Sequence, residues 1–580
     1  MTAARPRAFS RRSFITFAAA TIAAESAAGI LAACGGSTTA PTPTTTGRTA
    51  ATTAAGGSAA APTVIRSSGA SAVSGSPAAS GTATTTGTVG PSQAKIMSGP
   101  SKLVLAQTAE PSTLDPQFEQ SGIIGTYLNP MVEHLMDFNR DLAITNVLAD
   151  TSQQPTDGVT YRFKLRPNMK FWDGTPVDAK AVKFTYDRAL DPANRKKGLS
   201  DPVPTLQGVD HVNVIDPLTV DVVTAKPSTL AWPFFCQEFI LNPAFYGAKS
   251  FEETAIQPMG SGPWKFVKWT KGDQMEMAAN ADYWRGKPQI DSLIFRTIPD
   301  AGTRLALLER GDADIITDIS PDDLPTINGN DKLRSTSVQT TFRVFIGVPC
   351  NQAKWKDRQA RVALNYAINV DNIVKYVLGG LPGERLRTPV ITPGWPNPDI
   401  KPYTFDQAKA KAMLTAAQFD FSQPVTLYTT QGGMKRLDVA QAIVADLNKL
   451  GMKATVQVLQ DAVFTSKLKA REFDDLYLNQ LGAPSYGPVE VALPTGDLGL
   501  DSTHFPDATA DGPKYLDLYQ QVRTTFDVAK QHDLVNQMQA LLMEESPWIL
   551  LYLEPYLFGV NKRVDWQPTS YTRLDFWLPG

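Results

Sequence analysis

Tyr161-Arg162-Phe163-Lys164-Leu165-Arg166, running on to Phe171-Trp172-Asp173-Gly174-Thr175-Pro176, is the stretch whose reading decides the fold. Tyr161, Phe163 and Leu165 alternate with charged residues, the period of two expected of a half-buried strand. Asp173-Gly174-Thr175-Pro176 then turns the chain. Thr175 is expected to N-cap a helix with Pro176 at its first position and Asp178 in its first turn. Ala179, Val182, Tyr186, Ala189 and Leu190 fall on one face of that helix.

Moving outward, the strand–turn–helix alternation continues. Upstream, Leu103-Val104-Leu105 is a short strand, followed by the turn-rich Glu110-Pro111-Ser112-Thr113-Leu114-Asp115-Pro116. Downstream, Gly260-Ser261-Gly262-Pro263 precedes a hairpin: Trp264 to Trp269, a turn at Lys271-Gly272-Asp273, and a return strand on which Met275 and Met277 alternate. The glycines are expected to allow backbone conformations that a bulkier residue resists. Leu293-Ile294-Phe295 is a further strand, and a helix around Arg304–Glu309 stops at Gly311. Asp357 caps a helix whose face is Ala360, Ala363, Leu364, Ala367 and Ile368. Strand Val425–Tyr428, a helix striped by Val439, Ile443, Leu447 and Leu450 and ended by Lys449 and Gly451, and strand Ala454–Leu459 imply a parallel unit with a right-handed crossover.

The chain's beginning carries an address. Ser10-Arg11-Arg12-Ser13-Phe14-Ile15 opens an Ala-rich apolar run from Phe14 to Ala33, and twin arginines before a weakly apolar segment imply twin-arginine export. Leu31-Ala32-Ala33-Cys34 resembles a lipobox, which makes Cys34 the expected lipidation site. Two acyl chains anchor firmly, because each buried CH₂ adds about 0.8 kcal/mol. An uncleaved transmembrane helix is the alternative, and Glu25 near its middle opposes it. From Gly35 to Gly90 nearly every residue is Ala, Thr, Ser, Gly or Pro, so this tract is expected to be a flexible tether. Its mean reach is roughly 40 Å.

The 580 residues suffice for two or three domains, and 42% apolar residues suffice for real cores. A net charge of −2 lacks the basic footprint of a nucleic-acid binder. The four histidines are scattered, and neither HExxH nor CxxC occurs, so no metal and no cofactor is expected. Beyond Cys34 the cysteines are Cys236 and Cys350, which an exported protein can pair or keep as separate core thiols.

Six stretches in order carry a family resemblance: Leu114-Asp115-Pro116; Tyr161 to Pro176; Gly260-Ser261-Gly262-Pro263-Trp264; Asn280-Ala281-Asp282-Tyr283-Trp284-Arg285-Gly286; Asp357 with Arg361-Val362-Ala363-Leu364-Asn365-Tyr366-Ala367-Ile368; and Glu545-Ser546-Pro547-Trp548. Together they resemble the extracellular solute-binding proteins of the oligopeptide/dipeptide/nickel class that serve ATP-binding-cassette importers. The resemblance implies an α/β, two-lobed clamshell of periplasmic-binding-protein type, with a small extra domain inserted in lobe one. From the residues quoted above, 1–33 is the expected signal peptide and 34–100 the lipidated Cys and disordered tether; the lobes are carried over from the family. Residues 101–145, 255–340 and 546–580 form lobe one, 146–254 the insert and 341–545 lobe two. It also implies a monomer held by lipid at the outer face of the cytoplasmic membrane, with ABC permease subunits as partners and no catalysis.

Two departures bear on the ligand. The family often has Asn after a Gly-Phe strand end, whereas Pro349 follows Gly347-Val348 here. Peptide binders of the family place an Asp in a lobe-two loop against the peptide's α-amine. The matching stretch, Leu478 to Pro488, holds no acid before Glu490. Gln480, Ser485 and Tyr486 would instead suit a sugar or another neutral polar solute. Loops facing the cleft supply the candidate ligand-binding residues Tyr127, Trp395, Tyr428, Gln431, Gln480 and Tyr486, aromatics to stack and amides to orient. The rival readings are a secreted hydrolase, on the Ser-x-x-Lys of Ser466-Lys467-Leu468-Lys469, and a sensor or chaperone on the same fold.

Overall fold

Fourteen strands of the computed structural model form its two larger sheets, a ten-stranded and a four-stranded one. The structure describes residues 93–118, 122–139, 142–196, 208–380, 385–482, 486–495, 501–569 and 576. The export signal, Cys34 and the tether up to residue 92 lie outside them, but residues 93–100, expected to belong to the tether, are ordered: Lys95 and Ile96 pair antiparallel with Asp565 and Val564, and Ala94 is buried. In chain order the strands are β1 (Lys102–Gln107), β2 (Ala149–Gln153), β3 (Thr160–Leu165), β4 (Val209–Asp216), β5 (Thr219–Thr224), β6 (Trp264–Thr270), β7 (Gln274–Ala279), β8 (Ser292–Thr297), β9 (Ile315–Thr317), β10 (Leu333–Gly347), β11 (Pro424–Thr429), β12 (Lys453–Val458), β13 (Tyr477–Leu481) and β14 (Trp548–Asn561). The helices that matter are α1 (Gly122–Leu128), α2 (Ala179–Leu190), α3 (Ala301–Arg310), α4 (Arg358–Ala367), α5 (Arg436–Lys449), α6 (Asp461–Ala470) and α7 (Val528–Glu545).

The large sheet runs β12-β11-β13-β10-β14-β9-β1-β8-β7-β6. β10 and β14, 15 and 14 residues long, pair along their whole length and belong to both halves of it. Their register slips between Gln339 and Arg343, where Thr340 Oγ1 donates to the Glu554 carbonyl at 2.7 Å. That irregularity separates the stretch of β10 and β14 beside β13 from the stretch beside β9, and a bulged pair is where a sheet can bend. The small sheet, β2-β3-β5-β4, has its own core of Tyr161, Phe163, Leu165, Val182 and Phe235.

The parallel unit β11–α5–β12 forms as its pattern dictates, with Val439, Ile443 and Leu447 fully buried against β11 residues Val425 and Leu427. Each such side chain contributes about 1.5–3 kcal/mol by leaving water. The β6–β7 hairpin turns on Gly272 at φ +77°, and Gly311 ends α3 in the left-handed conformation. Asp357 caps α4 by accepting from the Gln359 N–H at 2.6 Å.

Two local readings change. Asp178, not Thr175, caps α2: its carboxylate accepts from the Lys180 and Ala181 N–H groups, while the Thr175 hydroxyl is spent on Asp173 at 2.6 Å. The carboxylate of Asp173 thus draws Thr175 into the turn and moves the helix start three residues on. Gly260 and Gly262 matter through close approach: a Cβ on Gly260 would fall 1.9 Å from the Met131 carbonyl oxygen. Cys236 sits in the insert's core and Cys350 in a lobe-two core, with no disulfide joining them. Burial pushes the Cys350 thiol up to about 12. Among the described residues no helix is long and apolar enough to cross a membrane.

Candidate functional site

Where β10 and β14 pass between the lobes, a cleft of about 470 Å³ opens. Its lobe-one bank includes Thr108, Asp318 and Ser320; its lobe-two bank includes Lys435 and Gln480; Glu554 of β14 lies at the hinge. The placement follows from topology. β1, β8 and β9 are parallel, so Thr108 and Asp318 follow the carboxyl ends of adjacent strands, where open α/β sheets present ligand loops. On the other side β11 and β13 are parallel, so the loop from β11 into α5 and the end of β13 meet the cleft together.

Both banks hold a charged residue in the left-handed region, Asp318 at φ +53° and Lys435 at φ +48°. The Asp318 carboxylate accepts from the Thr317 hydroxyl at 2.7 Å and the Thr108 hydroxyl at 3.2 Å. Lys435 reaches across the cleft to Asp322 of lobe one, Nζ to Oδ1 2.9 Å. Glu554 Oε1 accepts from the Met434 N–H at 2.8 Å, and its Oε2 lies 3.5 Å from Arg436 Nη2. Burial raises the Glu554 carboxyl above the usual carboxylate range, with Arg436 opposing the shift. Arg436 Nη2 also donates to Gln480 Oε1 in a short contact. The cleft therefore offers carboxylates, an ammonium, an amide and hydroxyls, which suits a polar solute bearing several hydrogen-bonding groups.

Of the six candidate ligand residues, Gln480 lines this cleft and Gln431 is exposed two residues before Gly433, which also lines it. The others find partners elsewhere. Tyr127 is fully buried in the lobe-one core, edge-on to Phe295. Trp395 stacks on His532 with ring centroids 3.7 Å apart and meets Tyr486 edge-on. Tyr486 donates to Gln531 at 3.0 Å, and burial pushes its hydroxyl up to about 12. Tyr428 donates to Asp474 at 2.8 Å, and burial followed by that acid pushes it to about 12. Ser485 and its neighbours 483–484 lie outside the described residues. Ser466 is on the exposed face of α6, away from the cleft lining. Among the described residues no cluster of three or more His, Cys, Asp or Glu could hold a metal ion.

The sequence reading passed over Thr108, Asp318, Lys435, Arg436 and Glu554. One pattern pointed to two of them: Lys435-Arg436 puts two cations at the start of a helix, the end that favours anions.

The family motifs do their work away from the cleft. Asp115 binds Arg188 between lobe one and the insert; Asn280, Tyr283 and Trp284 gather on Gly262 and the buried Glu133; Arg361 clamps the side chain and carbonyl of Glu545.

The family model of "Bacterial extracellular solute-binding proteins, family 5 Middle" matches residues 143–496. The glutathione-binding protein GsiB of Pectobacterium atrosepticum is 28% identical over 482 residues, covering 80% of this chain and 90% of that protein. GsiB of Escherichia coli K12 is 27% identical over 475 residues, covering 80% and 91%. Among solved structures, the ABC-transporter substrate-binding protein CtaP of Listeria monocytogenes superposes with a TM-score of 0.71 at 18% identity, covering 79% of this chain and 94% of that one. DppA of Helicobacter pylori, in complex with the peptide STSA, gives 0.64 at 21% identity, covering 79% and 94%.

Proposed function

This chain belongs to the bacterial extracellular solute-binding proteins of family 5, which serve ABC importers, and from that premise we propose that it captures a small polar solute in the cleft at the β10–β14 hinge and hands it to an importer permease. The observation that carries the reading is the cleft itself, bounded by Asp318 and Ser320 on one lobe, Lys435 and Gln480 on the other, and Glu554 at the bend. A solute touching both banks favours closure over opening, because its affinity for the closed form exceeds that for the open one. No bond is made or broken in the solute. On this reading lobe two begins near residue 341 and, because Trp548–Leu553 pairs with Arg343–Gly347, the chain returns to lobe one near Glu554 and not at 546.

The solute is an amino-acid-derived or similarly polar molecule, such as a short peptide. The GsiB relatives are named as glutathione-binding, and two similar structures, DppA and AgaA, are complexes with the peptide STSA and with agropinic acid. The mixed charges of the cleft agree with such ligands better than with an uncharged sugar. Cys34, diacylated after twin-arginine export, tethers the protein as a monomer to the outer face of the cytoplasmic membrane.

Native mass spectrometry of freshly purified protein tests the capture reading. A small solute should be retained, and at a hundredfold excess over Kd it should stabilise the fold by about 2.7 kcal/mol. If nothing is retained, and glutathione, short peptides and oligosaccharides all leave the Tm unmoved, capture in this cleft is wrong. The anchor has its own check: Cys34→Ser should release the exported protein from the membrane fraction.

A further inference from the structure

The turn from β11 into α5 reaches out of lobe two and into the core of lobe one. Met434 packs on one side against the lobe-two cluster that holds Val425, Val439 and Ile443. On the other side it packs against the lobe-one cluster that holds Val104, Ile316, Ile319 and Leu557. Its N–H donates to Glu554 at the bend, 2.8 Å away, so the backbone is fixed at the hinge while the side chain spans the lobes.

Two further contacts cross beside it. Lys435 meets Asp322 of lobe one at 2.9 Å. A Cβ on Gly379 of lobe two would lie 3.6 Å from the Pro321 Cβ of lobe one, an ordinary van der Waals distance. The backbone of the turn is bent to reach. Gly433 stands at φ +77° and Lys435 at φ +48°, so Met434 is held out between two left-handed residues. Glycine adopts that conformation freely and lysine does not. A strained residue persists only where its surroundings hold it, and the surroundings of this turn belong to both lobes. All of these contacts join protein to protein, so none of them calls for a solute. Met434 and Lys435 also line the cleft, so the turn that joins the lobes walls the chamber between them.

We propose that Gly433-Met434-Lys435 is a latch: it draws the lobes together before a solute arrives, and it withdraws from lobe one to admit or release one. Met434 supplies the hold, through apolar surface taken from water. The Lys435–Asp322 pair, whose acid is 74% exposed, sets the register and adds little strength. The latch raises the fraction of solute-free protein already in the binding-competent form, and the apparent affinity tightens with that fraction.

Hydrogen exchange of the full-length protein tests this, after any retained solute has been removed by unfolding in urea and refolding. In Met434→Ala the backbone amides of Ile319 and Ser320, across the cleft from the substitution, should exchange about tenfold faster than in wild type, the loss of roughly half of a buried methionine's stabilisation. If Met434→Ala does not fold, wild type decides. A zero-length carbodiimide should join the Lys435 amine to the Asp322 carboxylate, located by peptide mass mapping, as fully in the solute-free protein as in freshly purified protein. Faster exchange confined to the β11–α5 turn itself, or a crosslink missing from the solute-free protein, overturns the latch. Both readings are taken on protein without solute, so they stand or fall apart from the capture reading.

Discussion

Two buried polar clusters in this chain differ in one respect. At the junction of lobe one and the insert, Asp115 is fully buried and accepts from Arg188 at 2.5 Å, Thr254 at 2.6 Å and the Gln117 N–H. Gln117 passes the network to Glu238 at 2.8 Å and to the Thr185 carbonyl, and Arg188 lies over the rings of Tyr246 and Phe251. Behind Gly433 of the cleft wall, Arg436 is also buried and its Nη2 donates to Gln480, yet its Nε is open and its carboxylate partner is far. Burial of charge is common to both. Completed hydrogen bonding marks the first as structural, whereas the second keeps one donor open beside the cleft.

The contrast can be broken most forcefully at the junction. Arg188→Ala leaves Asp115 buried and unpaired, which should cost about 3–5 kcal/mol in urea unfolding while leaving solute affinity of the folded protein unchanged. A loss below about 1 kcal/mol would mean the cluster is not structural. Next comes Gly260→Ala, whose Cβ would collide with the Met131 carbonyl. Overpacking against backbone should cost about 1–3 kcal/mol in the same measurement.

Glu238 sharpens the comparison through pH. Burial raises its carboxyl to about 8, opposed by Gln117 and Arg188, so the folded chain holds a proton there that the unfolded chain releases near 4.3. The folded state binds more protons across that window. Stability therefore falls as pH rises from about 5 to about 8 and levels off above. Glu238→Gln should flatten this slope and be more stable than wild type at pH 8; an unchanged slope would contradict the assignment. The smallest effect is expected for Asp322→Asn, which removes an ion pair whose acid is mostly exposed. The urea midpoint should stay where it is in wild type, because a solvated ion pair contributes little; a clear loss would show that the Lys435–Asp322 pair helps hold the two banks together.

Much of the fold was legible because local chemistry and global packing agree. Period-two strands, the Gly272 turn, the Asp357 cap and the α5 stripe each have one solution in the structure. The start of α2 was misread because Thr175 and Asp178 are both good caps, and only the competing carboxylate of Asp173 decides between them. The cleft was legible only at Gln480 and in the neighbourhood of Gln431. Aromatics were sought as stacking platforms, yet His532 and Phe295 offered stacking and edge contacts to Trp395 and Tyr127 within the protein. Asp318 and Glu554 escaped because their meeting depends on strands 237 residues apart (317 and 554) joining one sheet, which no local pattern records.

The claim on which these readings depend is that two lobes close on one guest at the β10–β14 bend. Hydrogen exchange of the full-length protein, with and without the solute that native mass spectrometry finds retained, tests it most directly. Exchange should slow on both banks at once, around Asp318–Ser320 and Gly433–Leu437, and at the hinge near Thr340. Slowing confined to one lobe, or elsewhere altogether, would contradict it.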